Sequence, residues 1–456
     1  MIAQIAFLLV LGTSIFFFAK RIREIRRNIK LGGDTDRSDN SSARWKTMAL
    51  VALGQSKMIT RPVAGLMHLL IYIGFVIINI EVLEILIDGV TGHHRIFAAM
   101  GLGGLYDFLI GSFEILAFGV LFSCVVFLIR RNVLRLKRFH MKEMTSWPKS
   151  DANIILVVEI LLMFAFLSMN ATDALLQEKL AAIVAEGQEI PASLSHYIQA
   201  GSFPISSWLQ PLYADLSIDG LIATERFMWW FHIVGILGFL VYVPYSKHLH
   251  IFMAFPNTYY SKLEAVGQMT NMEAVTSEVK LMLDPNADPF AAPAPDPDAA
   301  PIKFGAKDVQ DLTWKQLFDS YTCTECGRCS SVCPANQTGK LLSPRKIMMD
   351  TRDRLEEVGK NLDDQGKPKD DGKTLLRDYI SEEELWACTT CNACVDACPV
   401  NIDPVSIILD LRRHLIMEES KSPEPITSMF NNMENNGAPW AFPAADRGKW
   451  TEEMNS

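Results

Sequence analysis

Five long apolar stretches restrict what this chain can fold into. They lie in the first 250 of its 456 residues and are, in order, Ile2 to Phe18, Pro62 to Ile87, Leu105 to Ile129, Ile154 to Leu175 and Phe227 to Tyr245. Each is close to the roughly 20 residues that an α-helix needs to cross the hydrocarbon of a bilayer. We therefore predict a bundle of five transmembrane helices in residues 1–253.

Charge around these stretches predicts how the bundle is oriented. The first stretch has no basic segment before it and no small-residue cleavage site after it, so it is expected to be a retained helix and not a secretory signal. Dense basic segments follow the first stretch, in KRIREIRRNIK, and the third, in RRNVLRLKRFHMK. Basic flanks favour the cytoplasmic side. We expect an inner-membrane protein with its N-terminus outside and everything after Lys247 inside.

Eight of the nine cysteines form two short motifs. CTECGRCSSVCP runs from Cys323 to Pro334, and CTTCNACVDACP runs from Cys388 to Pro399. Both have the spacing C-x2-C-x2-C-x3-C-P, in which three cysteines bind one [4Fe-4S] cluster and the fourth binds the other. The predicted ligands are Cys323, Cys326, Cys329 and Cys398 for the first cluster and Cys388, Cys391, Cys394 and Cys333 for the second.

Zinc is the alternative for these motifs. Structural zinc sites pair C-x2-C units and need neither a third cysteine two residues on nor a C-P ending, so the spacing favours iron-sulfur clusters. Thiolate ligands also require a reducing compartment, which agrees with a cytoplasmic cluster domain. The ninth cysteine, Cys124, lies in the third apolar stretch and is expected to be a packing residue.

The rest of the chain divides by composition. Asp284 to Pro301 is rich in proline, alanine and aspartate, which is typical of a linker. The expected fold class is all-α, a five-helix transmembrane bundle plus a small α-helical dicluster ferredoxin domain, with helical patterns around residues 313–320, 343–358, 381–387 and 404–418. The predicted boundaries are 1–253 for the membrane domain, 254–302 for the linker, 303–425 for the cluster domain and 426–456 for a partner-docking tail.

Histidines in or beside the apolar stretches are candidate cofactor ligands, because a histidine at membrane depth is functional by default. His68 and His250 are both expected at the cytoplasmic end, where they would be the two axial ligands of one haem b. The 18 residues from His232 to His250 make five helical turns, about 27 Å, if the helix continues past Pro244. The alternative is that these histidines only make helix-helix hydrogen bonds.

A second haem would lie near the outer surface. His232 is expected there and needs a partner, for which His93 and His94 in the outer connection are candidates. Because quinone chemistry moves protons together with electrons, we also consider the acidic residues near the stretches as a proton route. These are Glu81, Glu84, Glu114, Glu159, Asp173 and Glu225. The net charge of -9 and the lack of a basic stripe argue against a nucleic-acid partner.

The membrane part resembles the cytochrome b subunit of respiratory nitrate reductase and its relative in heterodisulfide reductase. The resemblance rests on His232 and His250 as the histidine pair of the last span and on the stretch around Pro244 and Lys247. The family has two histidines on its second span, whereas this chain has His68 and, ten residues later, Ile78. The resemblance thus implies an inner haem and leaves the ligands of the outer one open.

The soluble part is similar to HdrC, an iron-sulfur subunit of heterodisulfide reductase, and to domains of quinone-interacting and electron-transfer-flavoprotein oxidoreductases. NNMENNGAPWAFPAADRGKW, from Asn431 to Trp450, resembles the segment that in longer relatives leads into cysteine-rich CCG domains. The resemblance implies a quinone-linked oxidoreductase subunit that reduces menaquinone. Its partners would be an electron transfer flavoprotein, or a dehydrogenase acting through a separate CCG-domain subunit.

Electron transfer between a soluble redox partner and the quinone pool is therefore the expected function, through two [4Fe-4S] clusters and one or two haems b. Two alternatives remain open. In the first, the membrane part is only an anchor, which makes the protein a haem-free tethered ferredoxin. In the second, the clusters belong to a non-enzymatic redox-sensing module. Haem content tests the first alternative, and steady quinone-linked turnover tests the second.

Overall fold

The computed structural model describes residues 1–191, 194–197, 199–286, 303–365, 370–441 and 443–454. These residues are mainly helical and contain no β-strand, which confirms the predicted all-α class. They form two compact units. Unit 1 comprises Met1–Arg27, Asn40–Tyr259 and Tyr321–Gly327, and unit 2 comprises Asn28–Asp39, Tyr260–Ser320 and Arg328–Ser456.

Unit 1 contains the predicted spans. Among the described residues, five helices are long and apolar enough to cross a membrane, here called spans 1 to 5: Ile2–Ile29, Pro62–Thr91, Gly104–Val133, Trp147–Ala185 and Ile218–Tyr245. Each includes one of the five apolar stretches and extends beyond it. The extensions occur because polar residues next to an apolar stretch continue its helix, as the basic residues of span 1 do up to Arg27.

The spans pack through a shared apolar core. Span 4 contacts spans 3 and 5, and span 3 contacts span 2. Phe7, Ile110, Phe166 and Ile233 are at most 1% exposed in this core. Large apolar side chains also cover the outer faces of the helices, among them Leu83, Phe108, Phe118 and Phe231. A helix that is apolar on all sides suits a lipid environment.

The end of span 5 departs from the expected continuous helix. Its α-helix stops at Tyr242, a 3-10 turn covers Val243–Tyr245, and Ser246 is extended with φ -121° and ψ 159°. Proline has no N–H to donate and its ring clashes with the preceding turn, so Pro244 ends the helix. A new helix, His250–Tyr259, begins at His250. The separation of five helical turns between His232 and His250, which requires a continuous helix, therefore does not apply.

Short helices and turns lie in two connections between the spans. A four-residue helix, Ile96–Ala99, lies between spans 2 and 3. Two 3-10 turns, Ser206–Trp208 and Gln210–Leu212, lie between spans 4 and 5.

Unit 2 is a small helical domain. The four sequence patterns correspond to helices Trp314–Thr322, whose last two residues belong to unit 1, Pro344–Gln365, Glu382–Trp386 and Pro404–Met417. Shorter helices carry the cysteine motifs, and Glu424–Asn436 and Lys449–Glu453 follow near the C-terminus. Pro344–Gln365 packs against Pro404–Met417. The apolar side chains of Ile347, Leu355, Ile407 and Leu411 are almost completely buried there.

The described part of the predicted linker contains helical residues. Residues 254–302 include most of helix His250–Tyr259, which belongs to unit 1, and helix Glu273–Leu283, which belongs to unit 2. The proline-rich residues 287–302 lie outside the described part of the chain.

A buried arginine cross-links unit 2. Arg354 is 3% exposed, and its guanidinium lies 2.7 Å from a carboxylate oxygen of Asp308 and 2.7 Å from one of Asp371. It also donates to the carbonyl of Lys373 at 2.7 Å. The planar fork of arginine suits two carboxylates at once. The hydrogen bond from Arg354 is the main reason that the pKa of Asp371 is lowered to about 2.

Replacing Arg354 by methionine is expected to destabilise unit 2 by about 3 kcal/mol, because two partly buried carboxylates lose their counter-charge. The temperature at which cluster absorbance is lost on heating measures this effect. Arg352→Met is the matched control, since Arg352 lies on the same helix and pairs with Asp353, which is 57% exposed. Exposed pairs contribute only about 0–1 kcal/mol. Equal shifts in the two variants would contradict the assigned role of Arg354.

Candidate metal centres

The two cysteine motifs fold into the same local backbone. Glu325 and Thr390 occupy equivalent positions and have φ values of 52° and 53°. Gly327 and Asn392 are likewise equivalent, with φ values of 69° and 58°. Glycine and asparagine tolerate this left-handed conformation, whereas glutamate and threonine rarely adopt it. The sequence repeat is thus a structural repeat. Backbone strain at the residue before the second cysteine of each motif is typical of a functional loop.

The fourth cysteine of the first motif lies beside the second motif. Helix Arg328–Val332, which ends just before Cys333, packs against helix Ala393–Asp396, which contains Cys394. Pro334 starts another helix and leaves Cys333 extended, with φ -70° and ψ 119°. The residue before a proline favours this conformation. The chain thereby turns Cys333 away from its own motif.

The pKa values of two cysteines in the second motif also reflect the proximity of Cys333 within unit 2. Burial is the main cause of the raised pKa of Cys388, and the thiols of Cys333 and Cys391 raise it further. For Cys394, burial again contributes most to the raised pKa, and Cys388 and Cys333 also raise it. Iron-sulfur ligands must be thiolates, and a cluster's iron atoms are the positive charge that four crowded thiolates need. The four predicted ligands of the second cluster are therefore neighbours in one unit.

Backbone and arginine contacts support the second motif. The N–H of Thr390 donates to the sulfur of Cys388 at 3.4 Å, and that of Ile402 donates to Cys398 at 3.3 Å. Arg412 donates to the carbonyls of Leu385 and Cys388, both at 2.5 Å. Hydrogen bonds to cluster sulfurs and nearby charge tune the reduction potential. These groups fit a redox centre.

The ligand set of the first cluster remains a prediction. Cys323 and Cys326 belong to segment 321–327 of unit 1, whereas Cys329 and Cys398 belong to unit 2. In the described part of the chain, no three histidine, cysteine or acidic side chains converge on a single metal ion. The thiolates of a cubane each bind a different iron atom, so they need more space than the ligands of one ion.

Two predicted haem ligands of unit 1 lie together. The ring centres of His68 and His250 are 6.3 Å apart, with 40° between the ring planes. Nδ1 of His250 lies 2.9 Å from the carbonyl of Lys247, so this nitrogen carries the proton and donates to the oxygen. A metal-binding histidine usually donates its second ring N–H in this way, which leaves Nε2 for the metal. His248 is a third histidine here, with its ring centre 5.6 Å from that of His250.

His232 is buried without a polar partner. It is 1% exposed, neither ring nitrogen has a hydrogen-bond partner among the described residues, and its ring centre lies 5.8 Å from that of Phe166. Leaving a buried polar group unpaired is unfavourable. A ligand bound at this ring would satisfy one of its two nitrogens.

The other two histidine candidates have different surroundings. His93 is exposed. Nδ1 of His94 lies 2.9 Å from the Arg226 guanidinium, and its Nε2 lies 3.3 Å from the Asp173 carboxylate. Both ring nitrogens of His94 thus have protein partners, unlike those of His232.

A buried arginine near His94 was not singled out from the sequence. Arg95 donates to Asp173 at 2.5 Å, to the Asn170 side-chain oxygen at 2.8 Å and to the Tyr106 hydroxyl at 3.1 Å. The only sequence signal was an arginine in a short connection between two spans that carry acidic residues. Because Asp173 is paired with Arg95, this carboxylate holds the connection between spans 2 and 3 against span 4.

The other acidic candidates are also mostly paired. Glu84 accepts hydrogen bonds from the Phe97 N–H and from Tyr106. Glu114 binds the connection between spans 4 and 5 through the N–H groups of residues 205 and 206, and Glu225 pairs with Arg226. Glu81 differs, because it is 2% exposed and one of its carboxyl oxygens has no hydrogen-bond partner among the described residues.

The five spans and the paired cysteine motifs define a membrane protein with an iron-sulfur domain. Residues 322–402 match the family described as 4Fe-4S dicluster domain. The chain is 26% identical to the probable iron-sulfur-binding oxidoreductase FadF of Bacillus subtilis, over 98% of its own length and 60% of that protein. It is also 26% identical to EtfAB:quinone oxidoreductase of Syntrophomonas wolfei, over 92% of its own length and 56% of that protein.

The cluster domain has a further relative. It is 32% identical to the HdrC subunit of the ferredoxin/F420H2-dependent CoB-CoM heterodisulfide reductase of Methanosarcina acetivorans, over 26% of this chain and 60% of that protein. The predicted similarity to the HdrC subunit of heterodisulfide reductase is thereby confirmed. No solved structure matches the chain. The chain spans 60% or less of the length of each of these three curated relatives.

Proposed function

We propose that this chain is a membrane-bound electron-transfer subunit that connects a soluble redox partner with the quinone pool. Two [4Fe-4S] clusters and haem b would carry the electrons. The observation that carries the proposal is the facing pair of His68 and His250, at the end of the spans and in the same unit as two cysteines of the first motif. Candidate ligands for two kinds of redox cofactor thus occur in one unit.

The histidine pair fits a haem. Two imidazoles that bind one metal from opposite sides, with metal–nitrogen bonds of about 2 Å, have ring centres roughly 6 Å apart. The measured separation is 6.3 Å. His68 and His250 would hold the group, and the hydrogen bond from His250 to Lys247 would fix the ring that faces it. When bound, a bis-histidine haem supplies one-electron exchange at a potential set by its ligands and burial.

His232 supports a second haem, because both of its ring nitrogens lack a hydrogen-bond partner among the described residues. Its partner ligand stays open between His93 and His94. His94 would have to give up its contacts with Asp173 and Arg226 to bind iron. The proposal therefore includes one haem at the His68 and His250 pair and a second at His232.

Orientation and partners complete the proposal. The basic flanks favour a cytoplasmic membrane location with the N-terminus outside and the cluster domain in the cytoplasm. The name of the Syntrophomonas relative, EtfAB:quinone oxidoreductase, supports a quinone as substrate and an electron transfer flavoprotein as partner. We propose menaquinone as the acceptor, and a CCG-domain subunit as a further partner.

Oxidation of the reduced protein by quinone tests this function. The protein is reconstituted in liposomes with or without menaquinone, reduced, freed of reductant and followed by absorbance without oxygen. Oxidation of the haem and the clusters is expected only with menaquinone. In His250→Ala, cluster oxidation is expected to slow by at least about 100-fold, because the histidine-held group connects the clusters to the quinone. Quinone-independent oxidation, or equal rates in the variant, would contradict the proposal.

A further inference from the structure

A buried ion pair joins the end of span 5 to the first cysteine motif within unit 1. The Lys247 ammonium lies 2.5 Å from a carboxylate oxygen of Glu325, and the two side chains are 9% and 3% exposed. Lys247 also donates to the carbonyl of Pro148 at 2.6 Å, and its N–H donates to Asp151 at 3.1 Å. The Lys247 side chain, at the end of span 5, thus contacts both span 4 and the first cysteine motif.

The ion pair acts on a constrained part of the motif. Glu325 lies between Cys323 and Cys326 and has a φ of 52°. Its counterpart in the second motif, Thr390, has the same backbone conformation but a neutral side chain. The loop conformation therefore does not require a carboxylate at this position. A buried pair is costly to form and costly to break, so it fixes the geometry of the groups attached to it.

Lys247 contacts the first cysteine motif through its side chain and His250 through its backbone. Its side chain holds the loop between Cys323 and Cys326, and its backbone carbonyl accepts the hydrogen bond from Nδ1 of His250. Only two residues separate the lysine from this histidine in sequence. The structure thus connects the first motif to the facing pair of His68 and His250 through one residue.

We propose that Lys247 is a positioning residue for electron transfer, which holds the Cys323 and Cys326 loop at the His250 end of span 5 through Glu325. This inference rests on the proposed function. With both groups bound, the reduced first cluster would give one electron to the haem that His68 and His250 would hold. No covalent bond forms or breaks, and Lys247 neither gains nor loses a proton.

The test uses full-length Lys247→Met and Glu325→Gln proteins in detergent without oxygen. The clusters are reduced by a laser flash with a soluble flavin photoreductant, and the rise of the haem absorbance is followed. Both variants are expected to keep their iron and haem content but to transfer the electron at least about tenfold more slowly, because small displacements of reacting groups have large effects on rate. Glu325→Asp, which keeps the charge, is expected to be closer to the wild-type rate.

Lys315→Met is the matched control. Lys315 pairs with Asp319 at 2.6 Å, and these side chains are 6% and 3% exposed, so a pair of similar length and burial is broken outside unit 1. Its transfer rate is expected to equal that of the wild type.

Each outcome has a separate meaning. Wild-type rates in Lys247→Met and Glu325→Gln, with full haem and iron content, would overturn the positioning role and leave the proposed function intact. Loss of the first cluster in both variants would show that the pair only maintains the loop, and would also overturn it. Absence of haem from the wild-type protein would overturn the proposed function itself, together with this inference.

Discussion

Replacing Cys333 by alanine is expected to remove the cluster of the second motif, although Cys333 belongs to the first. The reason is that Pro334 turns Cys333 away from its own motif and the fold places it beside Cys388 and Cys394. Iron is expected to fall by about four atoms per chain, the content of one cubane, since a cubane that loses a ligand is unstable. The effect is large because the whole cofactor is lost.

Iron analysis and electron paramagnetic resonance of the reduced protein measure this result. Cys333→Ala and Cys394→Ala are expected to lose the same signal, and Cys329→Ala is expected to lose the other one. Cys124→Ala is the control and should keep all of its iron, because Cys124 is buried in span 3 and belongs to neither motif. Loss of the same signal in Cys333→Ala and Cys329→Ala would show that the first motif binds its cluster alone.

Replacing either His68 or His250 by alanine is expected to remove one haem b and leave both clusters in place. The expectation follows from the ring separation of 6.3 Å and from the single free ring nitrogen that the Lys247 contact leaves on His250. Either substitution removes one of the two side chains that would hold the haem. Haem content by the pyridine haemochrome assay, with iron analysis of the same sample, measures the effect.

His248→Ala is the sharpest control for this experiment. Its ring lies beside that of His250, and burial lowers its pKa to about 3, so it is a neutral imidazole like its neighbour. The assignment predicts that His248→Ala keeps the haem. Haem loss in His248→Ala together with retention in His250→Ala would show that His248, and not His250, is the haem ligand. His232→Ala, tested separately, is expected to affect only the second haem.

Features with a local signal were accessible from the sequence. The five spans follow from the length of their apolar stretches, because crossing a bilayer needs about 20 apolar residues in a row. The cysteine motifs follow from their spacing, which is set by the shape of a cubane. The five-turn spacing from His232 to His250 was conditional on a helix that continues past Pro244, and it does not hold because a new helix begins at His250.

Contacts between distant residues had no such signal. Lys247 and Glu325 are 78 residues apart in sequence, as are Arg95 and Asp173. Neither pair follows from periodicity or motif spacing, since buried ion pairs depend on which helix ends meet in the fold. The acidic residues near the spans illustrate the consequence. Glu84 and Glu114 were considered for a proton route from the sequence. In the structure they accept hydrogen bonds from backbone N–H groups of the connections between spans.

Whether the membrane domain carries haem is decided by the visible spectrum of the full-length protein, purified without oxygen in detergent and recorded before and after reduction by dithionite. A pyridine haemochrome assay and iron analysis are made on the same sample. We predict a b-type alpha band on reduction and more iron than the roughly eight atoms of two cubanes. Cluster absorbance with no alpha band, and no more than about eight iron atoms per chain, would contradict electron transfer through haem and identify a membrane-tethered ferredoxin.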